Sequence, residues 1–92
     1  MLRYQIKMGE TATKKISAAG GDGSIAKEIL DGLIWRLGHN PNLGTYEVDG
    51  KRNFRLIKSE KLTPKHPVVT ALYRMIKDDY YDIEIADLNI IP

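Results

Sequence analysis

Residues 24–38, which read SIAKEILDGLIWRLG, are the most regular stretch of this chain. At about 100° per residue, its apolar side chains fall on one side of a helix. These are Ile25, Ala26, Ile29, Leu30, Leu33, Ile34 and Leu37. Asp22 and Ser24 offer capping oxygens to the first backbone N–H groups, and Gly38 favours a left-handed stop after the last apolar position. The stretch therefore predicts an amphipathic helix that covers the core.

The composition sets the class of protein that we expect. The 92 residues, 42% of them hydrophobic and 28% charged, predict one globular domain over residues 1–92 with a single core. The sequence contains no cysteine, so disulfides and thiolate metal sites are excluded. No apolar run is long enough to span a bilayer, and the first residues lack the apolar region of a secretory signal. We therefore expect a cytoplasmic protein without membrane contact.

The segments before and after the helix predict strands. Residues 2–8 alternate apolar and polar side chains, as a half-buried strand does, and residues 12–18 predict a second, weaker strand built on Ile16. Residues 44–58 predict a hairpin that turns at Asp49-Gly50, because glycine readily takes the positive φ of tight turns. In this hairpin we expect Tyr46 and Val48 to match Phe54 and Leu56 on the core face.

The last third of the chain predicts a second helix and a final strand. The helix opens at Pro64 or Pro67 and ends near Lys77 or Asp78. Its apolar face holds Val68, Val69, Leu72, Met75 and Ile76. In residues 81–92 the apolar positions change phase near Ala86-Asp87, which predicts a bulge or a bend after which the end of the chain faces elsewhere.

These elements follow the order β(β)αββαβ and predict an α+β fold. Without the weak second strand, the order resembles ferredoxin-like domains, a two-layer sandwich with both helices on one face of a small mixed or antiparallel sheet. A different strand order, closer to a β-grasp, is the alternative. RNA-recognition domains share this order of elements, so the resemblance concerns topology alone.

The sequence shows no pattern of residues that predicts catalysis. His39 and His66 have no partner at metal-ligand spacing, and no serine stands in a nucleophile context. The glycine-rich loop before the helix lacks the spacing of phosphate-binding motifs and contains the carboxylate of Asp22. We therefore expect no enzymatic activity, no metal and no cofactor.

Aromatic residues outside the predicted core faces predict a protein-binding site. Trp35 lies opposite the apolar stripe of the first helix, beside Arg36 and His39, whereas Tyr73 and Tyr80 flank the stripe of the predicted second helix. Tryptophan, tyrosine and arginine are enriched at interface hot spots. Alternatively, Leu43 or residues 9–21 cover these aromatics within the monomer. The favoured interpretation is a small regulatory or inhibitory protein that binds a protein partner or a second copy of itself.

A basic surface supports an alternative function, the binding of nucleic acid. The chain has a net charge of +2, and its positive charge is concentrated in one region. The residues are Lys51, Arg52, Arg55, Lys58, Lys61 and Lys65. Phosphates could bind there. We expect Phe54 to face the core, however, which leaves no aromatic to stack on a base.

The last residues, 88–92, read LNIIP and predict an apolar end to the final strand. If this tail is unpaired within its own sheet, its edge can recruit another strand. We therefore expect the tail to contribute to a homodimer or to a partner contact.

Overall fold

The computed structural model describes residues 3–46, 53–61, 63–76 and 78–92. Within these residues the elements are β1 (Ile6–Met8), α1 (Glu10–Ala18), α2 (Ile25–His39), β2 (Thr45–Tyr46), β3 (Phe54–Lys58), β4 (Val68–Met75) and β5 (Ile83–Ile91). The strands form one mixed sheet in the order β1-β5-β4-β3-β2, in which only the β1–β5 pairing is parallel. The predicted α+β class is confirmed, whereas the order of elements differs from the ferredoxin-like one.

Helix α2 confirms the prediction made from residues 24–38. Ser24 is its N-cap, and the Ser24 Oγ accepts a hydrogen bond from the backbone N–H of Lys27 at 3.1 Å. Leu30, Leu33 and Leu37 are buried, as their spacing predicts. The helix continues through Gly38 to His39, and Asn40 is the C-cap, so the predicted stop at Gly38 was wrong. Hydrogen bonds from the N-terminal segment explain part of this difference. The N–H groups of Arg3 and Tyr4 both donate to the Gly38 carbonyl, which would otherwise lack a partner at the end of the helix.

Residues 12–18 belong to helix α1, so the predicted second strand was wrong. Ala12 and Ile16 are buried four residues apart, which is the spacing of one helix face. The helix ends where the Gly21 N–H bonds to the Ile16 carbonyl and the chain takes positive φ at Gly20 and Gly21. That arrangement is a glycine C-cap. The glycine pair was thus a helix-end signal as well as a loop signal.

Residues 68–75 form strand β4, so the predicted second helix was wrong. The stretch reads VVTALYRM, and its apolar residues satisfy the helical period and the alternation of a strand equally well. Val69, Ala71 and Tyr73 are fully buried on one face, between β3 and β5. Each neighbouring strand satisfies the backbone groups of every second residue, so pairing on both sides satisfies the whole strand, and β-branched side chains fit such a central position.

The two arms of the predicted hairpin pair with each other, but the faces of the second arm are the reverse of those predicted. β2 and β3 pair antiparallel, with Tyr46 opposite Arg55, whereas the predicted turn at Asp49-Gly50 and Val48 lie outside the described residues. Arg55 lies opposite the buried Tyr73, and Ile57 opposite the buried Ala71, so these two residues of β3 share the core face. Phe54 and Leu56 therefore face the other side of the sheet, which no helix covers in the described part of the chain.

Strand β5 contains the predicted bulge. Its register with β4 shifts between Leu72 and Tyr73, where Leu72 pairs with Asp87 and Tyr73 pairs with Ile85. Because one extra residue is inserted, Leu88 returns to the core face of Ile83 and Ile85 and is buried. The expectation that the end of the chain faces elsewhere was therefore wrong. So was the expectation of an unpaired tail on the β4 side, since the pairing continues to Ile91.

Candidate protein-binding surface

Trp35 lies on the exposed side of α2, near its C-terminal end. The residue is 61% exposed, so neither Leu43 nor residues 9–21 cover it. Its ring centroid lies 4.3 Å from that of His39, one helical turn later, with the planes tilted by 39°. The His39 Nδ1 lies 2.8 Å from the Trp35 carbonyl oxygen, which orients the imidazole against the indole. Trp35 and His39 therefore form one rigid, exposed aromatic pair.

The N-terminal segment connects this end of α2 to the turn before β5. The Gly38 carbonyl accepts hydrogen bonds from the N–H groups of Arg3 (2.9 Å) and Tyr4 (3.1 Å). The Gln5 carbonyl accepts from Asp82 at 2.9 Å, and the Gln5 N–H donates to the Asp82 carboxylate at 2.8 Å. These bonds place the end of α2 and the 78–82 turn at the same end of the molecule.

Most of the large apolar side chains that the described residues expose lie at this end. We define the end surface as Trp35, Leu43, Met75, Tyr80 and Tyr81. Leu43 follows α2, Met75 ends β4, and the two tyrosines lie in the 78–82 turn. Of the described residues only Ile25 and Ile91 are comparable, and they lie at the start of α2 and the end of β5. Apolar exposure is thus concentrated, which is typical of interaction sites rather than of ordinary protein surface.

The turn that presents Tyr80 is held by Asp78. The Asp78 Oδ1 accepts hydrogen bonds from the backbone N–H groups of Tyr80 (2.8 Å) and Tyr81 (2.6 Å). These two bonds favour the carboxylate and lower the pKa of Asp78 below its ordinary value, with a weaker contribution from the charge of Lys7. The Ile76 N–H also donates to the Asp82 carbonyl at 2.8 Å, which closes the turn. Tyr80 is consequently 80% exposed on an ordered turn.

Tyr73 does not belong to this surface, because the strand that replaces the predicted helix points it inward. The residue is fully buried. Its hydroxyl donates a hydrogen bond to the Pro41 carbonyl (2.7 Å) and accepts one from the Gly44 N–H (2.9 Å). Tyr73 therefore holds the loop that presents Leu43 and makes no exposed contact of its own.

Arg36 points away from the aromatic pair, since successive helix residues are rotated by about 100°. It lines a groove of about 380 Å³ between α2 and the 59–66 connection. Glu28, Glu60 and His66 line the same groove, so its charge is mixed. Gly32, in the middle of α2, leaves part of this groove open. Of the predicted protein-binding residues, the structure thus brings Trp35 and His39 together and places Tyr80 at the same end.

Of the basic residues of the alternative site, the four that the structure describes do not share one surface. Lys51 and Arg52 lie outside the described residues, whereas Lys58, Lys61 and Lys65 are exposed. The Arg55 Nη1 donates to the Asn42 carbonyl (3.2 Å), so Arg55 lies on the core face instead of the solvent face that we predicted. Phe54 lies on the open sheet face, with the Arg74 guanidinium carbon 5.5 Å from its ring centroid.

The described residues contain no group of three or more histidines and carboxylates that could hold a metal ion. Within the same residues no helix is both long and apolar enough to cross a membrane. Comparison of the chain with protein-family models, with curated proteins and with solved structures finds no match. The assignment of the candidate site therefore rests on the geometry of its residues alone.

Sequence reasoning missed Leu43, Met75 and Tyr81. Leu43 was considered only as a cover for Trp35, and Met75 was assigned to the apolar face of a helix. Tyr81 could have been found, because Tyr80-Tyr81 stands between aspartates in the stretch DDYYD. Two adjacent aromatics flanked by aspartates indicate that at least one of them is exposed.

Proposed function

We propose that this chain is a small, cytoplasmic, non-enzymatic module that regulates or inhibits a protein partner by binding it at the end surface. The observation that carries the proposal is the position of Trp35, an indole that is 61% exposed, lies against the His39 ring and shares its end of the molecule with further exposed apolar residues. Leaving such a ring in water forgoes about 25 cal/mol for each Å² of apolar area that a partner could cover. The absence of cysteine is compatible with a reducing compartment.

The rigidity of the surface also supports binding. A partner gains most from side chains whose freedom is already restricted, because little conformational entropy is then lost on association. His39 restricts Trp35, the Asp78 carboxylate holds the turn of Tyr80, and Tyr73 holds the loop of Leu43. Three different elements thus present anchored apolar groups at the same end of the molecule.

Replacing Trp35 by alanine is expected to abolish partner binding and to leave the fold intact. At an interface hot spot the loss is about 2 kcal/mol or more, which is roughly a thirtyfold weaker complex. The exposed indole contributes little to folding, so the melting temperature should barely change. The measurement is quantitative mass spectrometry of proteins captured by the wild type, Trp35→Ala and Tyr80→Ala, with thermal unfolding of each variant.

The matched control is Ile25→Ala, which removes an exposed apolar side chain at the opposite end of the same helix. Partners that contact the end surface should be lost from both end-surface variants and retained by Ile25→Ala. The proposal fails if the three variants capture the same proteins. It also fails if Trp35→Ala unfolds at a much lower temperature, or if Trp35 fluorescence is blue-shifted and protected from quencher, because the indole then serves the monomer. Sedimentation of the wild-type chain shows whether the partner is a second copy of the same chain.

Binding of nucleic acid is the second candidate, and the position of Phe54 favours it. The ring lies on the open sheet face beneath Arg74, on the same face as Lys58. Glu84 lies on this face as well and pairs with Arg74 at 3.0 Å, which weakens the positive field. We therefore expect weak binding of a generic oligonucleotide or none.

The salt dependence of oligonucleotide binding tests this second candidate. Phosphate contacts release counterions, so any affinity should fall steeply as salt rises. Lys58→Glu combined with Lys61→Glu should then remove it, whereas Lys27→Glu, in the first turn of α2, should not. Micromolar binding with that pattern would favour nucleic acid over protein as the partner, and no binding at low salt would exclude it.

A further inference from the structure

The outer side of α2 carries a stripe of residues that stays accessible to solvent. We define the outer stripe as the α2 residues within an arc of about 120° on the side away from Leu30 and Leu37. Its members are Ile25, Glu28, Ile29, Gly32, Trp35, Arg36 and His39. None of them is buried, and Ile25 and Trp35 are more than half exposed. Steps of three and four residues along a helix form a seam on which another helix can pack.

Gly32 lies at the centre of this stripe, where the described part of the fold does not require glycine. α2 has seven residues before Gly32 and seven after it. Its φ is not positive, and a Cβ would meet no described atom within 4 Å. Apart from proline, glycine is the least favourable residue inside a helix. A close approach of another backbone at this point would explain the glycine, because a side chain would keep that backbone away.

The charges of the stripe are arranged symmetrically about Gly32. Glu28 precedes it by four residues, and Arg36 follows it by four. These two side chains are two turns apart, and neither makes an ion pair with a described residue, whereas Lys27 and Asp31 on the same helix pair with each other. An acid and a base at equal distances from a centre are complementary to their own copy when the second helix runs in the opposite direction.

We propose that two copies of the chain associate through their outer stripes, with the two α2 helices antiparallel and in closest contact at Gly32. A two-fold axis beside this residue places Glu28 of each copy at the level of Arg36 of the other, so that two ion pairs form. In a parallel pair the same residues would face their own copies, and like charges would repel. Antiparallel helices also place the N-terminal end of each dipole beside the C-terminal end of the other, which is favourable.

The apolar residues of the stripe also meet in this arrangement. Ile29 of one copy lies at the level of Trp35 of the other, because they are three residues before and three residues after the centre. Ile25 lies at the level of His39 for the same reason. The indole, which is 61% exposed in the monomer, is then covered by the second copy.

The groove beside the stripe provides a place for Arg36 of the second copy. It measures about 380 Å³ and lies between α2 and the 59–66 connection. Glu28 lines one wall and Glu60 the other, so a guanidinium that enters between them meets two carboxylates. Ile29 and Leu33 supply apolar surface for its methylene groups. The chain's own Arg36 lines the groove about 12 Å further along the helix from Glu28, which leaves this end open to the arginine of the copy.

The length of α2 also favours a second copy over an unrelated helix, and it limits the strength of the dimer. Because Gly32 is the midpoint of α2, a pair centred there overlaps along all 15 residues, about 22 Å. Contact through one helix from each copy buries less than the about 1,600 Å² of a standard interface. We therefore expect a weak dimer, with a dissociation constant of roughly 0.1 mM.

The inference deepens the proposed function and rests on it for the role of Trp35 as a binding residue. It names a second copy of the chain as the protein that covers the indole. Tyr80 and the other residues of the end surface lie outside the stripe and are not covered by it. Since a dimer covers Trp35, self-association competes with any other partner that binds this side chain.

Dilution of the ¹⁵N-labelled chain from millimolar to low micromolar concentration tests the association. The signals of residues 25–39 and of the indole N–H should shift with concentration, and this indole belongs to the single tryptophan of the chain. Sedimentation equilibrium over the same range should show a dimer at the upper end. A wild-type chain that stays monomeric at millimolar concentration overturns the inference.

Reversal of the stripe charges tests the antiparallel register. Arg36→Glu and Glu28→Arg should each weaken the dimer by at least roughly tenfold, because each places like charges at both contacts. The double variant restores opposite charges and should return to within about threefold of the wild type. Lys27→Glu, which changes the charge as Arg36→Glu does but lies outside the stripe, should have no such effect. The proposal is wrong if Lys27→Glu and Arg36→Glu weaken the dimer equally, or if the double variant is no tighter than the single variants.

Gly32→Ala tests the point of closest contact. It should weaken the dimer by roughly tenfold, because two added methyl groups force the helices apart. The melting temperature of the monomer should rise at the same time, since alanine favours the helix, so the weaker dimer cannot be due to unfolding. Equal association of Gly32→Ala and the wild type would overturn the inference. A monomeric wild type whose captured proteins are lost from Gly32→Ala would assign the stripe to a different protein and overturn it as well.

Tyr80→Ala separates this inference from the proposed function, because Tyr80 belongs to the end surface but not to the stripe. If Tyr80→Ala loses captured proteins while the dimer ignores the charges of Glu28 and Arg36, the inference alone is overturned. If the dimer follows these charges while Trp35→Ala and Tyr80→Ala capture the same proteins as the wild type, the proposed function fails and the association of two copies stands.

Discussion

Replacing Tyr73 by phenylalanine is expected to lower the free energy of unfolding by about 2–3 kcal/mol, although only one oxygen atom is removed. The hydroxyl binds the Pro41 carbonyl and the Gly44 N–H, and Tyr73 is fully buried. Without it, both backbone groups lose their partner at the edge of the core, and each unsatisfied group costs about 1–3 kcal/mol. Urea denaturation measures the change.

The control for this variant is Tyr81→Phe, which removes a hydroxyl from an exposed tyrosine. Its effect should stay within about 0.5 kcal/mol, as for most surface substitutions. If Tyr73→Phe and Tyr81→Phe unfold at the same urea concentration, water replaces the lost hydroxyl, and Tyr73 does not hold the 41–44 loop. The comparison also separates a tyrosine of the core from one of the end surface.

Replacing Gly44 by alanine is expected to destabilise the fold by about 2–3 kcal/mol or more. A Cβ at this position would lie 2.6 Å from the Leu56 carbonyl oxygen and closer still to the Tyr73 hydroxyl. The carbonyl belongs to β3 and the hydroxyl is held by two hydrogen bonds, so neither group can move away without loss of these interactions. Thermal or urea unfolding of the variant gives the magnitude.

Replacing Gly32 by alanine should have the opposite effect on stability. Gly32 lies within α2, and a Cβ there meets no atom within 4 Å. Alanine is about 0.5–1 kcal/mol better than glycine inside a helix, so Gly32→Ala should stabilise the protein by about that amount. The account of Gly44 is wrong if both alanine variants change stability in the same direction.

The candidate site was only partly accessible to sequence reasoning. Trp35 and His39 could be placed on the exposed side of a helix, because the helix itself was correctly identified. Tyr80 was predicted to be exposed beside the apolar face of a second helix. That helix is absent from the described residues, but the turn in which Tyr80 lies exposes the side chain as well. Tyr73 was selected by the same argument and is buried, because a strand alternates its side chains where a helix groups them.

The tertiary structure brings the residues of the end surface together. Leu43 and Met75 are separated by more than thirty residues, and the stretch between them contains β2, β3 and all of β4 except Met75 itself. They reach the same end because β4 returns along β3 and its Tyr73 holds the 41–44 loop. Local periodicity carries no information about such contacts, since the pairing partner of a strand is chosen by the rest of the sheet.

Local sequence determined helix α2, its cap at Ser24, the antiparallel β2–β3 pairing and the irregularity near Ala86. These features depend on neighbours a few residues apart, whose preferences are written in the chain itself. Tertiary structure decided that residues 68–75 form a strand, that Arg55 instead of Phe54 shares the core face, and that the bulge keeps Leu88 in the core. In each case two local patterns were nearly equal, and burial between neighbouring strands selected one of them.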